Sequence, residues 1–361
     1  MKYLIIRNDG IGDLIVSSPL ISKIKKNDLN SEVHLICSNR NIKYAQILLK
    51  DGFIDKLYTS IDDLNKSKMY FKLIRKLSNI HFDYILILRA SLSNLIFAKF
   101  LRSKSVLSII AINKGKFFNK RYTPPLILCK LFLHGSEYID CRNDYEYSRK
   151  LHMSSHLLNL LNIISSIKDL KNNLNYYLSP YLATEAIKYR KYIDKLYEIN
   201  LKKVVLLHFD EKWDLVNHQY DKIFEFIANI QINTNATIIV SNGLIKNRYQ
   251  DKLFNDLEFL LIKNSKKFFL SKKNRKILFF DKLELDELFH TVKLSDVVIT
   301  SHGSMTHISS MHKINLIDLI SFKRKFFFHK WRPLNKNSIQ YDMNDLDNII
   351  KKVYKYLEIK V

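Results

Sequence analysis

The chain has 361 residues, more than one typical domain holds, so its length predicts two domains of about 150 to 200 residues each. Its 47% apolar and 12% aromatic residues can fill two packed cores, which excludes an intrinsically disordered chain. The formal net charge of +24 has two interpretations. It indicates a basic surface suited to anionic lipid or an acidic acceptor, or it reflects the Lys-, Asn- and Ile-rich composition of an AT-rich genome. Because the sequence contains no nucleic-acid motif, no nucleic-acid partner is expected.

The first half alternates short apolar runs with amphipathic stretches, the pattern of parallel strands joined by helices. The predicted strands are Lys2–Ile6, Val33–Ser38, Lys56–Tyr58, Tyr84–Arg89 and Val106–Ile112. The predicted helices are Ser18–Lys26 with Pro19 in its first turn, Ile42–Lys50, Lys66–Ser78, Ser93–Leu101 and a leucine-rich stretch at Ser148–Ser166. The polar segment Asn172–Tyr181 is the predicted linker.

The second half restarts the same pattern, which predicts a second doubly wound domain. Its predicted strands are Lys203–Phe209, Ala236–Ser241, Lys276–Phe280, Asp296–Thr300 and a final one near Asn315–Ile320. Its predicted helices are Thr184–Tyr197, Tyr220–Ile230, Leu285–Lys293, one from about Met305 and Asn344–Leu357. The expected domains are residues 1–175 and 176–340, and residues 341–361 form a helix that packs back on the first domain.

Three cysteines, Cys37, Cys129 and Cys141, are an odd number without metal-ligand spacing, so neither a disulfide framework nor a zinc site is expected. No apolar run reaches the roughly 20 residues of a membrane span. Arg7 and Asp9 interrupt the apolar N-terminal run, which argues against a signal peptide. A cytoplasmic location is therefore expected, with peripheral contact at the inner face of the inner membrane as an option that the charge suggests.

Two of only seven glycines, Gly10 and Gly12, lie in one turn after the first strand. In open α/β sheets, ligands bind beyond the carboxyl ends of the strands, and glycine lets a ligand approach the backbone. The turn has neither the third glycine of a dinucleotide fingerprint nor the Gly-Lys-Ser/Thr of a P-loop. Asp13, followed by the hydroxyl of Ser17, has two interpretations: a helix cap, or a general base facing a cleft.

A second glycine loop, Ser301–Ser304, follows a late strand and runs into the predicted helix that carries Met305, Thr306 and His307. A helix that begins here aims its free amides at a ligand above Gly303, and a pyrophosphate suits that position. The alternative is an ordinary turn with a buried histidine. Because two histidines, a glycine and hydroxyls converge here, we favour a binding site.

Lys212 follows the first strand of the second domain, so it too is placed at a carboxyl end. A lysine beside a leaving diphosphate stabilises the charge that grows as the glycosidic bond breaks. The alternative is a surface lysine, one of many in this chain. The neighbouring Trp213, one of two tryptophans, favours a functional role.

These segments together resemble glycosyltransferase family 9, the ADP-heptose:lipopolysaccharide heptosyltransferases. The stretch Ile5–Pro19 (IIRNDGIGDLIVSSP) looks like the family's opening motif, in which Gly-Asp follows the first strand and a hydroxyl-Pro pair opens the first helix. Residues 280–288 and Ser295–Thr300 resemble its approach to the donor loop, and Ser301–His307 (SHGSMTH) is similar to its Asp-Ser/Thr-Gly-x-x-His. The resemblance spans most of the chain.

The resemblance implies a GT-B fold of two Rossmann-like domains with an interdomain cleft. The first domain would bind the acceptor and the second the nucleotide-sugar. It also implies an inverting, metal-independent transfer, with Asp13 as base and Lys212 as phosphate ligand. The donor site would include His302, Gly303, Ser304, Met305, Thr306 and His307, and the loop near the substrates Gly10, Ile11, Gly12 and Ser17.

This chain departs from the family pattern in three ways. Lys212 and Trp213 are adjacent where the family has Lys-x-Trp, and the usual proline is Asp214. Ser301 and His302 replace the usual Asp and hydroxyl residue, and one extra residue separates Gly303 from His307.

The expected function is transfer of a heptose or related sugar from a nucleotide donor, ADP-heptose by default, to an anionic acceptor. That acceptor is a lipopolysaccharide or lipooligosaccharide core, or another surface glycan. Alternatives are a GT-B enzyme that uses a UDP- or GDP-sugar, a heptosyltransferase acting on protein, and a non-catalytic basic adaptor with a degenerate transferase fold. A nicotinamide-dependent oxidoreductase is disfavoured because the third glycine is missing.

Overall fold

The structure is a computed structural model that describes residues 1–60, 66–112, 131–140, 152–164, 174–197, 201, 203–216, 218–243, 245, 247–262, 265–322 and 325–358. These residues form two compact units. The first unit comprises Met1–Tyr177 and Phe326–Arg332, and the second comprises Leu178–Lys325 and Pro333–Val361. Of the predicted linker Asn172–Tyr181, residues 172 and 173 lie outside the described part and residues 174–179 have no regular secondary structure. Pro180 and Tyr181 already belong to the helix Pro180–Tyr197, so the linker was predicted two residues too long at that end.

The first unit alternates strands and helices. Its strands are β1 (Lys2–Arg7), β2 (Glu32–Ser38), β3 (Lys56–Ser60), β4 (His81–Ile87), β5 (Arg102–Ile112) and β6 (Gly135–Asp140). Its helices up to the linker are α1 (Ile11–Asn27), α2 (Ile42–Lys50), α3 (Lys66–Leu77), α4 (Leu92–Lys99) and α5 (Met153–Asn162).

The six strands pair in parallel in the order β3-β2-β1-β4-β5-β6. The crossovers that join β1 through β5 are the helices α1 to α4, and such helices cover the faces of a parallel sheet, which is why β1 and β2 read as continuous apolar runs. The helices α3 and α4 supply Leu73, Leu77 and Phe97 to one apolar core, while α1 packs on α2 and α5. The carboxyl end of β1 therefore lies at the centre of the sheet, where the strand order reverses.

The second unit has the same construction. Its strands are β7 (Val204–Phe209), β8 (Thr237–Asn242), β9 (Phe259–Leu261), β10 (Phe268–Ser271), β11 (Ile277–Phe280), β12 (Val297–Ser301), β13 (Asn315–Ile320) and β14 (Ser338–Asp342). Its helices are α6 (Pro180–Tyr197), the 3₁₀ turn Glu211–Leu215, α7 (Tyr220–Thr234), α8 (Gln250–Asp256), α9 (Leu285–Leu294), α10 (Ser304–His312) and α12 (Leu346–Tyr356). Between them, α11 (Lys325–Lys330) lies largely in the first unit.

The second sheet has the order β14-β13-β12-β7-β8-β11-β10-β9. Its first six strands are parallel, and β10 pairs antiparallel with both β11 and β9. The central neighbours β7 and β12 bring the 3₁₀ turn and the start of α10 to one edge. Both glycine loops of the sequence thus follow central strands, each in its own unit.

Several predicted elements need correction. The first helix begins at Ile11, not Ser18, so Pro19 lies inside it. The signal for the helix start is the carboxylate of Asp13 in the first turn. The preference of proline for the first turn of a helix placed the predicted start one helical turn or more too late. Asn315–Ile320 is not the final strand, because β14 follows it. Of the helix predicted at 148–166, residues 152–164 can be compared, and the helix there is Met153–Asn162. Residues 148–151 and 165–166 lie outside the described part, as do Cys129 and Cys141.

The C-terminal helix was expected to pack on the first domain. Instead, α12 buries Leu346, Ile349 and Val353 in the core of the second unit, together with Ile223 and Ile227 of α7. These three residues of α12 form one apolar stripe, and the burial of that stripe against α7 decides the packing. The late segment that joins the first unit is Phe326–Arg332.

No helix within the described ranges combines the length and the apolar character needed to cross a bilayer.

Candidate functional site

Asp13 lies in the first turn of α1, directly beyond the carboxyl end of β1. Its Oδ2 accepts the backbone N–H of Gly10 at 3.3 Å, and its Oδ1 accepts Nη2 of Arg7 at 3.1 Å. The first contact caps the helix, since it satisfies a backbone donor that the helix leaves without a partner. The side chain nevertheless remains 34% exposed. Asp13 is therefore both a cap and an accessible carboxylate.

Arg7 is a buried arginine that fixes this turn. Its Nη1 donates to the carbonyl of Leu88 at 2.8 Å and its Nε to the carbonyl of Asp13 at 3.2 Å. The guanidinium also pairs with Asp9, whose Oδ1 lies 3.2 Å from Nε. A buried guanidinium is stable only with such carboxylate and carbonyl partners. Arg7 thereby holds the Asp13 side chain in one orientation.

Asp9 is the more buried of the two carboxylates. Burial raises the pKa of Asp9 to about 6, against the opposing effect of Arg7, and the charge of Asp13 raises it further. Arg89 also acts to lower this pKa, so it contributes positive charge to the same end of the sheet. The turn therefore concentrates two carboxylates and two guanidinium groups.

Three of the residues predicted to form a substrate loop have a different place. Ile11, Gly12 and Ser17 all belong to α1 rather than to a loop. The Ser17 side chain is fully buried, and its Oγ donates to the carbonyl of Asp13 at 2.8 Å. An i to i−4 bond of this kind is a local backbone contact. Of the predicted group, Gly10 alone stays outside the helix, at its N-cap.

A polar cluster at the carboxyl end of β1 was missed from the sequence. Asn8, at the end of β1, donates to Oδ1 of Asn94 at 3.0 Å and to the hydroxyl of Tyr70 at 3.3 Å. Asn94 is buried in α4 and also bonds to the carbonyl of Arg89. The signal was the position of Asn8 after a buried strand, next to the Gly-Asp motif. This cluster joins α3 and α4 to the carboxyl end of the first sheet.

In the second unit, Lys212 and Gly303 are in direct contact. A Cβ on Gly303 would lie 2.6 Å from Nζ of Lys212, closer than any carbon–nitrogen contact allows. A side chain at this position would push the Lys212 ammonium group aside, and that group comes from a different strand end. The ammonium group lies above the loop at the start of α10, where the positive end of that helix is found. The structure thus brings Lys212 and the Gly303 loop together.

Asp210 holds Lys212 in this position. Its Oδ2 lies 3.2 Å from Nζ of Lys212, and its Oδ1 accepts the backbone N–H of the same residue at 3.1 Å. Oδ1 also accepts the hydroxyl of Ser301 at 2.5 Å. Asp210 thus places a carboxylate beside the position where the family pattern carries its aspartate. Sequence analysis missed it, although it follows the strand end that made Lys212 a candidate.

Asp318 orients the other half of the loop from β13. This fully buried carboxylate accepts Nδ1 of His302 at 2.8 Å, the hydroxyl of Thr306 at 2.7 Å and the side-chain amide of Gln340 at 2.8 Å. The Thr306 hydroxyl in turn accepts the backbone N–H of Gly303 at 3.1 Å. A buried carboxylate with three donors rigidifies its surroundings. A charged residue in the middle of the apolar strand NLIDLI was the signal that could have identified it.

The remaining predicted donor residues differ in exposure. Met305 is 1% exposed, so only its backbone can meet a ligand. The ring of His307 is also buried and lies 5.7 Å from that of His302 at nearly a right angle. Ser304 begins α10 and is partly exposed. The loop therefore presents mainly backbone, one histidine and the Lys212 ammonium.

Trp213 is a core residue and not part of the surface of the site. It is 1% exposed, packs on Phe209 with ring centroids 4.7 Å apart, and donates Nε1–H to the carbonyl of His208 at 3.0 Å. Burial lowers the pKa of His208 to about 4, so this histidine is neutral. The tryptophan supports the strand end that carries Asp210 and Lys212. Among the described residues, no group of three or more His, Cys, Asp or Glu side chains is arranged to hold a metal ion.

No family model matches the sequence, and no curated protein matches it significantly. Solved structures do share its fold. A glycosyl transferase family 9 protein from Veillonella parvula DSM 2008 aligns with a TM-score of 0.71 at 12% identity, over 99% of this chain and 97% of that chain. E. coli heptosyltransferase WaaC, solved with ADP-2-deoxy-2-fluoro heptose, gives 0.66 at 12% identity over 99% of both chains. UDP-GlcNAc 2-epimerase from Methanocaldococcus jannaschii gives 0.56 at 16% identity, over 99% and 92%.

These likenesses confirm the predicted fold class, an α/β fold of GT-B type with two Rossmann-like domains. They extend over nearly the whole chain, and at 12% to 16% identity they establish the fold. The resemblance drawn from the sequence motifs is thus confirmed at the level of architecture: the chain has the fold of glycosyltransferase family 9.

Proposed function

We propose that the chain is an inverting, metal-independent glycosyltransferase that moves a sugar from a nucleoside diphosphate donor to an acceptor hydroxyl. The observation that carries this proposal is the Lys212 ammonium held against Gly303 at the start of α10. Helix amides, a glycine without a side chain and a lysine together form an arrangement suited to a diphosphate.

The second unit supplies the donor chemistry in this proposal. The diphosphate oxygens would accept hydrogen bonds from the free backbone N–H groups in the first turn of α10 and from Nζ of Lys212. As the bond between the anomeric carbon and the diphosphate oxygen breaks, its electron pair leaves with the phosphate. Lys212 stabilises that growing negative charge, because a preorganised cation acts most strongly where charge develops.

Asp13 is the proposed base. Its carboxylate takes the proton of the acceptor hydroxyl while the acceptor oxygen forms its bond to the anomeric carbon. Arg7 restricts the carboxylate to one orientation, and the 34% exposure leaves it accessible. A single displacement of this kind inverts the configuration at the anomeric carbon. General-base catalysis contributes about 10²- to 10⁴-fold to such rates.

ADP-heptose is the proposed donor, since the structurally similar WaaC was solved with an ADP-heptose analogue. The proposed acceptor is a lipopolysaccharide or lipooligosaccharide core or another surface glycan. The epimerase with the same fold is named for UDP-GlcNAc, which keeps a UDP-sugar donor as the alternative. The replacement of the family's Asp and hydroxyl by Ser301 and His302 is the specific reason to test that alternative.

Thermal-shift titrations with ADP, UDP, GDP and CDP test donor binding on the intact chain. We expect one diphosphate to raise the unfolding temperature more than its monophosphate does. The matching nucleotide-sugar should then be consumed in the presence of glycolipid acceptor, with the product identified by mass spectrometry. In cells that lack the chain, the surface glycolipid should lose one sugar.

A non-catalytic adaptor is the second candidate, favoured by the changes at Ser301 and His302. It predicts that no nucleotide stabilises the protein and that surface glycans are unchanged in cells without it. That pair of results would reject the transferase. Binding of a diphosphate with turnover of its sugar rejects the adaptor.

A further inference from the structure

The outer surface of α3 and α4 combines exposed apolar side chains with cations. Leu92 and Ile96 of α4, and Phe100 at the C-cap of that helix, are exposed at intervals of four residues, so they form one stripe along the helix. On α3, Phe71 is 73% exposed. Such clustering is unusual for a soluble surface, where exposed apolar residues are scattered singly.

The two helices are neighbours, so their outer sides form one surface. Tyr70 of α3 and Phe97 of α4 pack with ring centroids 5.2 Å apart, and the Tyr70 hydroxyl donates to Asn94 at 3.0 Å. Both helices turn their inner sides, including Leu73 and Phe97, to the same apolar core. We call the outer surface, comprising Phe71, Lys72, Arg75, Leu92, Ile96, Lys99 and Phe100, the α3–α4 face.

The charge of the α3–α4 face has a single sign. Lys72, Arg75 and Lys99 are exposed, and the sequences of α3 and α4 contain no aspartate or glutamate. Long basic side chains around apolar ones match the headgroup region of a bilayer, where the stems lie in the apolar boundary and the cations meet phosphates. Anionic lipid attracts each such cation near the surface.

We propose that the α3–α4 face docks the protein on an anionic lipid surface, with Phe71, Ile96 and Phe100 entering the interface. The occupant is a membrane rather than a protein because cations surround the apolar side chains and neither helix carries an acidic residue among them. The same helices carry Tyr70 and Asn94, which bond to Asn8 directly after the carboxyl end of β1. A lipid-linked acceptor would thus reach the first unit from the surface that holds the protein.

The second unit offers matched controls. Its exposed isoleucines Ile187, Ile232 and Ile245 lie on different elements and are each at least as exposed as Phe100. Exposed lysines of α6 and α12, Lys191, Lys195 and Lys351, provide controls for charge.

The test is sedimentation of the full chain with vesicles of phosphatidylcholine, with and without about 30% phosphatidylglycerol. Wild type should bind the anionic vesicles and be released by high salt. The triple variant Phe71→Ser, Ile96→Ser, Phe100→Ser should lose on the order of tenfold or more in partitioning, as should Lys72→Glu, Arg75→Glu, Lys99→Glu. The triple variant Ile187→Ser, Ile232→Ser, Ile245→Ser and the triple glutamate variant at Lys191, Lys195 and Lys351 should bind more tightly than the corresponding face variants.

Equal binding by the face variants and their controls would overturn the proposal, as would equal binding of wild type to neutral and anionic vesicles. A change of oligomeric state in the serine variant, with vesicle binding intact, would assign the face to a second copy instead. Thermal shift with nucleotides separates this inference from the proposed reaction. Face variants should keep the nucleotide response of wild type, and a failure of nucleotide binding in wild type leaves the vesicle result standing.

Discussion

The turn around Asp13 and the loop around Gly303 follow central strands in their respective units, yet they are built differently. In the first unit the carboxylate is anchored locally, by Gly10 three residues away and Arg7 six residues away. In the second unit the important neighbours are distant in sequence: Lys212 and Asp210 lie about ninety residues before Gly303 and Ser301. A local motif therefore describes the first site well and the second only in part.

The difference has a chemical consequence. A carboxylate that also caps a helix is held still before any substrate arrives, which suits a base. A lysine that reaches over a glycine from another strand is held by one carboxylate and retains a 39% exposed side chain. That arrangement suits a side chain that binds an anion. The predictions that follow separate the structural and chemical roles of each group.

The largest expected effect is that of Asp13→Asn. The single amide oxygen can still accept the Gly10 N–H, so the cap is retained, but the bond from Arg7 is lost and the amide cannot act as a base. We expect transfer to fall by about 10³-fold, within the range for loss of a general base, with nucleotide affinity unchanged. Initial rates and calorimetric titration of the same preparation check both statements.

Ser17→Ala is the control for Asp13, because it removes a buried bond to the Asp13 carbonyl without touching the carboxylate. It should lower stability by about 1 kcal/mol and leave the rate near that of wild type. If Asp13→Asn transferred sugar as fast as Ser17→Ala does, Asp13 would be a helix cap only.

Gly303→Ala should weaken diphosphate binding by about 10- to 100-fold, since the new Cβ displaces Nζ of Lys212. Lys212→Ala should have a similar effect for a different reason, the loss of the cation. The double variant then tests their coupling. Because no ammonium remains to be displaced, adding Gly303→Ala to Lys212→Ala should weaken diphosphate binding little further. Additive losses would show that the glycine serves the ligand or the backbone and not the lysine.

Asp210→Asn should lower kcat by about tenfold while diphosphate affinity is not reduced. The substitution removes the anchor of Lys212, but it also removes a negative charge near the phosphates, and the second effect offsets the first in binding. Adding Ser301→Asp to this variant restores a carboxylate from the neighbouring strand end. We expect the double variant to recover most of kcat; a further loss would show that the position of the carboxylate matters more than its presence.

Individual buried groups of the protein respond to acid in opposite directions. Burial gives Asp9 a raised pKa of about 6, so between about pH 4 and 6 the folded state holds more protons and stability falls as pH rises. Burial lowers the pKa of His208 to about 4 and that of His312 to about 3. Below about pH 6.5 the unfolded state then holds more protons, so stability falls as pH falls.

His312→Leu sharpens this contrast, because both ring nitrogens of His312 lack a hydrogen-bond partner among the described residues. The change in the free energy of unfolding caused by the substitution should be more stabilising at pH 5 than at pH 7.5 by about 2 kcal/mol. Urea unfolding at the two pH values measures the difference. An equal effect at both pH values would mean that His312 is accessible to protons in the folded state.

Much of the fold followed from the sequence because buried parallel strands are nearly continuous apolar runs, as in β1 and β7. The edges were harder. The short strands β9 and β10 and the half-exposed β14 carry weak patterns, and α1 was misplaced because Pro19 suggested a helix start.

The site followed the same division. Asp13, Lys212 and Gly303 were accessible from the sequence because each follows an apolar strand, and strand ends of a parallel sheet carry ligands. Asp210 and Asp318 were not identified, since their importance comes from contacts with Ser301 and His302 that exist only after the strands pair. Pairing of β7, β12 and β13 is a long-range event that no local motif encodes.

The central claim is that Lys212 and the Gly303 loop bind the diphosphate of a nucleotide donor. Isothermal titration of the intact protein with ADP, UDP and GDP, each beside its monophosphate, tests it most directly. We expect one diphosphate to bind at least about tenfold more tightly than its monophosphate, a difference of about 1.4 kcal/mol, and Lys212→Ala to abolish this preference. Equal affinity for diphosphate and monophosphate, or a preference that survives Lys212→Ala, would contradict it.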